Sequence, residues 1–81
     1  MKITEQEKVI LSSLKSEWKY IARDKDGELF IYKVKPIKID DRYCCDMRTD
    51  YCNFTAFNHL FKFVKWDDEN LHSINTLINY Y

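Results

Sequence analysis

Eighty-one residues allow one domain with a small core, and five Phe, six Tyr and two Trp make such a core efficient. Thirteen Lys and Arg balance thirteen Asp and Glu, so no global field steers the chain toward nucleic acid or an anionic membrane. No apolar run approaches the roughly 18–20 residues that span a bilayer, and a single Gly and a single Pro argue against flexible linkers.

Met1-Lys2-Ile3-Thr4-Glu5 leads into charged residues, so no secretory leader is expected. Three cysteines, an odd number, then read as reduced thiols in the cytoplasm. The expectation is one domain over residues 1–81, without a membrane segment.

In chain order, Thr4 and Glu7 stand at capping-box spacing, where each side chain serves a backbone N–H of the other. Ile10, Leu11 and Leu14 give the helix one apolar face, and it is expected to end near Lys15. A β-hairpin from about Glu17 to Lys35 follows, its arms rich in aromatic and β-branched residues around Asp24-Lys25-Asp26-Gly27.

Loop length sets its register. A two-residue Asp26-Gly27 turn pairs Tyr20 with Lys33 and Trp18 with Lys35. A three-residue Lys25-Asp26-Gly27 loop pairs Ala22 with Phe30, Tyr20 with Tyr32 and Trp18 with Val34, which gathers all six on one face. It also places Gly27 where a type I turn plus G1 bulge needs left-handed geometry. The longer loop is therefore predicted, with those six side chains toward the core. Glu17, Lys19, Ile21, Arg23, Leu29, Ile31, Lys33 and Lys35 then form the outward face.

Pro36 ends the pairing, and Ile37-Lys38-Ile39 reads as an edge strand before an Asp40-Asp41 turn. Arg42–Asp46 and Tyr51–Phe54 read as two further short strands. A long helix capped by Asn53 or Thr55 is predicted from Phe57, Leu60, Phe61 and Val64. A last helix is expected to open at Asp67-Asp68-Glu69, whose charges suit a helix N-terminus, and to continue through Leu71, Ile74, Leu77 and Ile78. The predicted class is α+β: a small antiparallel sheet centred on hairpin 17–35, with an N-terminal helix and two C-terminal helices packed on one face.

No cluster spells out a reaction. Cys44, Cys45, Cys52, His59 and His72 lack zinc spacing, and adjacent Cys44 and Cys45 on a strand point to opposite faces. Nothing orients a Cys52–His59 pair for nucleophilic catalysis. The Asp67-Asp68-Glu69 cluster lacks the Gly and alternating acids of a calcium loop and reads as a helix start or an acidic contact patch. The one Gly belongs to a turn, so no phosphate-binding loop is available. No enzyme activity, metal or cofactor is expected. Lys19, Arg23, Lys33 and Lys35 form a basic hairpin face that suits a protein partner or, with nearby aromatics, a single strand of nucleic acid.

The run Trp18-Lys19-Tyr20-Ile21-Ala22-Arg23-Asp24-Lys25-Asp26-Gly27-Glu28-Leu29-Phe30-Ile31-Tyr32-Lys33-Val34-Lys35-Pro36 is followed by Phe57 to Phe61, then by Trp66-Asp67-Asp68-Glu69 with Ile74 and Leu77. Over residues 17–78 this resembles small phage and prophage accessory proteins of Gram-positive bacteria. The chain departs from that pattern at Asn70 or Leu71, where those proteins carry Pro, and has Tyr43 near their second Trp. The resemblance implies an accessory protein that binds a host protein stoichiometrically, as an inhibitor of host defence (a CRISPR effector, for example) or of replication. The expected contacts are Lys19, Arg23, Lys33 and Lys35, with Asp67, Asp68 and Glu69. The alternatives are a nucleic-acid-binding module using the basic face, and a structural or homo-oligomeric phage protein joined through the sheet edge at 37–39.

Overall fold

The computed structural model describes residues 3–80. Helix α1 (Glu5–Ser12) opens with the expected capping box: Thr4 Oγ1 accepts the Glu7 amide at 3.1 Å, and Glu7 Oε1 accepts the Thr4 amide at 2.9 Å. It closes earlier than predicted, where the Ser13 hydroxyl folds back onto the Val9 carbonyl at 2.8 Å.

Strands β1 (Tyr20–Arg23) and β2 (Leu29–Tyr32) form the predicted hairpin in the predicted register, Tyr20 opposite Tyr32 and Ala22 opposite Phe30. Gly27 has φ +93°, and its amide returns to the Asp24 carbonyl at 2.9 Å. A Cβ at Gly27 would meet nothing within 4 Å. Gly27→Ala is thus expected to cost only the backbone preference, about 1–2 kcal/mol, read from the urea midpoint.

The predicted faces hold in part: Ala22 and Tyr32 are buried and Trp18 packs against the main core as expected, but Val34 is exposed. Ile21, Leu29 and Ile31, placed outward by the sequence reading, are 0–2% exposed and join the main core with Leu11, Phe61, Val64, Ile74 and Leu77. Both faces of this hairpin are apolar enough to be buried, so alternation fixes the register but not which side the helices cover. The other face, with Ala22, Phe30 and Tyr32, is covered by a second small sheet. That sheet is the hairpin of β3 (Ile37–Ile39) and β4 (Arg42–Cys44), turning at Asp40, whose φ is +56°.

The main sheet is antiparallel, in the order β5-β2-β1-β6, with β5 (Tyr51–Asn53) beside β2 and β6 (His72–Ser73) beside β1. The predicted edge strand and the two short strands after it are all present, with β3 and β4 paired to each other rather than to the hairpin.

Two C-terminal helices were expected and there is one, α2 (Ile74–Tyr80). Residues 54–66 form a chain of tight turns instead, with i→i−3 bonds from the Phe57, Asn58, Leu60 and Val64 amides. Phe61, 0% exposed, takes φ +55°, which stops any helix there. Asn53 does hold the start of this segment, its Oδ1 accepting the Thr55 amide at 2.8 Å. Helix α2 starts at Ser73, whose Oγ accepts the Thr76 amide at 3.4 Å, and not at the acidic cluster.

Turns leave backbone groups without helical partners, and two charged side chains supply them. The Arg23 guanidinium lies among five carbonyls: Nε donates to Val64 (2.8 Å), Nη1 to Gly27 (2.6 Å) and Asn58 (3.2 Å), and Nη2 to Leu60 (2.9 Å) and Phe61 (3.2 Å). These use all five of its N–H donors. Glu7, 6% exposed, accepts the Phe61 amide at 2.5 Å through the carboxylate oxygen its capping box leaves free. The Phe61 residue is thus held from both sides.

Candidate functional site

The seven residues expected to make contacts fall into separate environments. Arg23 is occupied inside the fold, and burial lowers its pKa from the ordinary value without supplying a route to a partner. Lys33 pairs with Glu17 at 3.2 Å and stands 5.2 Å from the centre of the Trp18 ring. Lys19 and Lys35 are exposed. The basic face read from the sequence is therefore reduced to two lysines that have no ion-pair partner among the described residues.

Asp67 and Glu69 are exposed on the turn before β6. Asp68 folds inward, accepting the Lys65 amide at 2.9 Å and the His72 Nε2–H at 2.7 Å. Burial pushes its carboxyl up, but the Lys65 amide and His72 outweigh that and hold it below the usual range. A lowered native pKa stabilises the fold above the unfolded value, near 4, and that contribution disappears as pH falls through the native value. Asp68→Asn is expected to cost about 1 kcal/mol at pH 7. The gap between the two proteins should close as urea titrations move below pH 4.

Two surfaces remain, one that the sequence reading did not assemble and one that contains its sheet edge at 37–39. The first is a cleft of 240 Å³ between the outer face of β1–β2 and the β3–β4 hairpin, walled by Phe30, Tyr32, Tyr43 and Tyr51 with Asp24 and Arg42 at its rim. The local chain explains its shape. Phe30 and Tyr32 alternate onto this face, and β5 brings Tyr51 beside them, with ring centroids 6.1 and 6.4 Å away. The β3–β4 hairpin is fixed above them where Asp24 Oδ1 accepts the Tyr43 amide at 2.8 Å and the Asp41 carbonyl accepts the Lys25 amide at 3.1 Å. Lys38 holds its other side, with Nζ donating to the Trp66 carbonyl at 2.6 Å and lying 4.4 Å from the Trp66 ring centre and 5.5 Å from that of Tyr43.

The cleft disfavours negative charge. Burial, followed by the Asp24 charge, pushes the Tyr32 phenol well above its ordinary range. Burial also raises Tyr43, with Asp68 and Asp24 adding, and raises Asp24 itself against the opposing Tyr43 amide. Cys45 on the wall is raised by burial and by Asp50. Such a thiol is a poor nucleophile.

The second surface is apolar at its centre and charged at three positions. Val34, Ile37, Ile39 and Met47 are 44–62% exposed and border one open cleft of 460 Å³ along β3, which Lys35, Asp46 and Asp50 also line. Among the described residues, strand β3 is hydrogen-bonded on one side only, to β4.

Cys44 and Cys45 are half-buried and Cys52 is exposed, all as free thiols. Among the described residues no three His, Cys, Asp or Glu side chains converge as a metal site would require. No described helix is long and apolar enough to cross a membrane. The signal the sequence did carry was its six tyrosines, since a phenol that packs on one side and stays wet on the other suits a cleft wall better than a sealed core. Comparison with protein-family models, curated proteins and solved structures finds no match to this chain.

Proposed function

We propose that the chain is a phage- or prophage-encoded accessory protein that acts in the bacterial cytoplasm by stoichiometric binding to a host protein, with defence or replication machinery as the class of target. The observation that carries this reading is the group Val34, Ile37, Ile39 and Met47, which an 81-residue chain short of core material leaves in water around one cleft. Leaving four such side chains half-exposed gives up about half of the roughly 1.5–3 kcal/mol that full burial of each is worth, a loss that a partner's surface can return. The hairpin's resemblance to phage accessory proteins supplies the biological setting, and the mode of action is occupancy rather than turnover.

A tagged copy expressed in a Gram-positive host and cross-linked in the cell should capture one dominant protein. Ile37→Asp with Met47→Asp should abolish that capture while leaving thermal unfolding unchanged, because both side chains are exposed. Capture indifferent to the double variant, or none at all, overturns the reading. The free edge of β3 also permits self-pairing. A dimer in light scattering that the same double variant dissociates assigns the patch to a second copy instead.

A further inference from the structure

We propose that the aromatic cleft between β1–β2 and the β3–β4 hairpin is a receptor for a cationic side chain, an arginine or lysine presented by a basic segment of the protein partner. This names the partner's chemistry and so rests on the binding reading above.

Three observations point the same way. Tyr32 is 2% exposed, yet its hydroxyl has no hydrogen-bond partner among the described residues. That hydroxyl is not sealed in the interior, and Tyr32 lines the cleft. A phenol whose hydroxyl stays open to water can exchange that water for a donor or acceptor from outside.

The walls are largely aromatic. Phe30, Tyr32, Tyr43 and Tyr51 enclose a volume of 240 Å³, smaller than the roughly 300–1,000 Å³ that hold drug-sized ligands and suited to one extended side chain. Aromatic walls attract cations through their quadrupoles, and more strongly once water is excluded. The molecule already uses this chemistry next door, where Lys38 is seated against Trp66 and Tyr43.

The mouth has the matching charge. Asp24 is shared with an adjoining groove that also carries Asp26, Glu28 and Asp41, against Lys25 and Arg42. Lys25 lies 3.5 Å from Asp41 and offsets it. Asp24 spends Oδ1 on the Tyr43 amide, and its second oxygen has no partner among the described residues. A guanidinium or ammonium entering the cleft would meet that oxygen and the Tyr32 hydroxyl at its polar end and rings along its stem. Arg42 at the rim is the one positive group lining the cleft, and it competes with such a guest.

The test is a titration of the ¹⁵N-labelled protein followed by amide chemical shifts, with N-acetyl-arginine amide, N-acetyl-lysine amide and N-acetyl-glutamate amide as probes. The cationic probes should shift the Asp24, Tyr32, Tyr43 and Tyr51 amides with a dissociation constant on the order of 1 mM, and the anionic probe should shift none of them. Asp24→Asn keeps the acceptor for the Tyr43 amide and should weaken the cationic probes about tenfold. Tyr51→Ala, at a residue 40% exposed on an outer strand, should weaken them about threefold without disturbing the core amides. Arg42→Ala should strengthen them.

Absence of cleft shifts with either cationic probe overturns the assignment. So does binding of the glutamate probe that Arg42→Ala abolishes, which would make the cleft an anion site. Because free amino-acid amides are used, the cleft can fail while the apolar patch still captures a partner, and the reverse.

Discussion

Arg23→Met is expected to lower folding stability by about 3–5 kcal/mol, seen as a fall in the urea midpoint at unchanged slope. A domain of this length has roughly 4–12 kcal/mol in all, so the variant should be close to unfolded at 37 °C. The reason lies in the acceptors more than in the charge. A buried ion can often be exchanged for an apolar group when both partners can be made apolar together. Here the partners are the carbonyls of Gly27, Asn58, Leu60, Phe61 and Val64, which no side-chain substitution removes. Methionine fills the space and takes a donor from all five oxygens, of which the Phe61 carbonyl alone keeps another, the Val64 amide at 2.9 Å.

Arg23→Lys separates charge from geometry. A lysine carries three donors on one nitrogen and cannot span carbonyls spread across three donor nitrogens, so it should recover only a minor part of the loss. A midpoint for Arg23→Met no lower than that of the exposed control Lys35→Met would show that the network does not hold the fold.

Glu7→Ala is expected to cost about 2–4 kcal/mol, combining a lost cap with an unpartnered amide at Phe61. Its local signature is hydrogen exchange. The Phe61 amide should lose protection in Glu7→Ala out of proportion to amides in β1 and β2, since its acceptor is the Glu7 carboxylate itself. Glu7→Gln should fall between the two proteins, because one amide oxygen can serve either Thr4 or Phe61 while the NH₂ group opposes the other. Uniform loss of protection across the sheet would mean that Glu7 acts through helix α1 alone.

The parts of the fold legible in the sequence are those set by local chemistry. Thr4 with Glu7, and Gly27 three residues after Asp24, announce a helix start and a bulged turn because the responsible groups lie within one turn of each other. The hairpin register was legible for the same reason. Its inner face was not, since Ile21 and Ile31 on one side compete with Ala22, Phe30 and Tyr32 on the other, and both sides end up covered.

Phe57, Leu60, Phe61 and Val64 fit a helical stripe, but successive i→i−3 turns repeat at nearly the same interval, so spacing alone does not separate them. What decides is the left-handed Phe61, a conformation imposed by Glu7 and Arg23 from 54 and 38 residues away. Strand β6 was hidden by its two-residue length. The aromatic cleft drew on four separated stretches of chain, around Asp24, Phe30, Tyr43 and Tyr51, and no window of sequence contains it.

The grip on residues 58–64 also orders events in time. Glu7 and Arg23 are both made early, and the backbone groups they serve, Thr4 and Gly27 aside, emerge only after residue 57. Until then the hairpin has no closed core to pack on, and its guanidinium stays hydrated. High sequence separation of this kind slows folding and postpones it until residues 58–64 have been made. The first strands therefore pass through synthesis with Ile21, Leu29 and Ile31 uncovered, an interval in which a nascent chain is open to aggregation or to a chaperone.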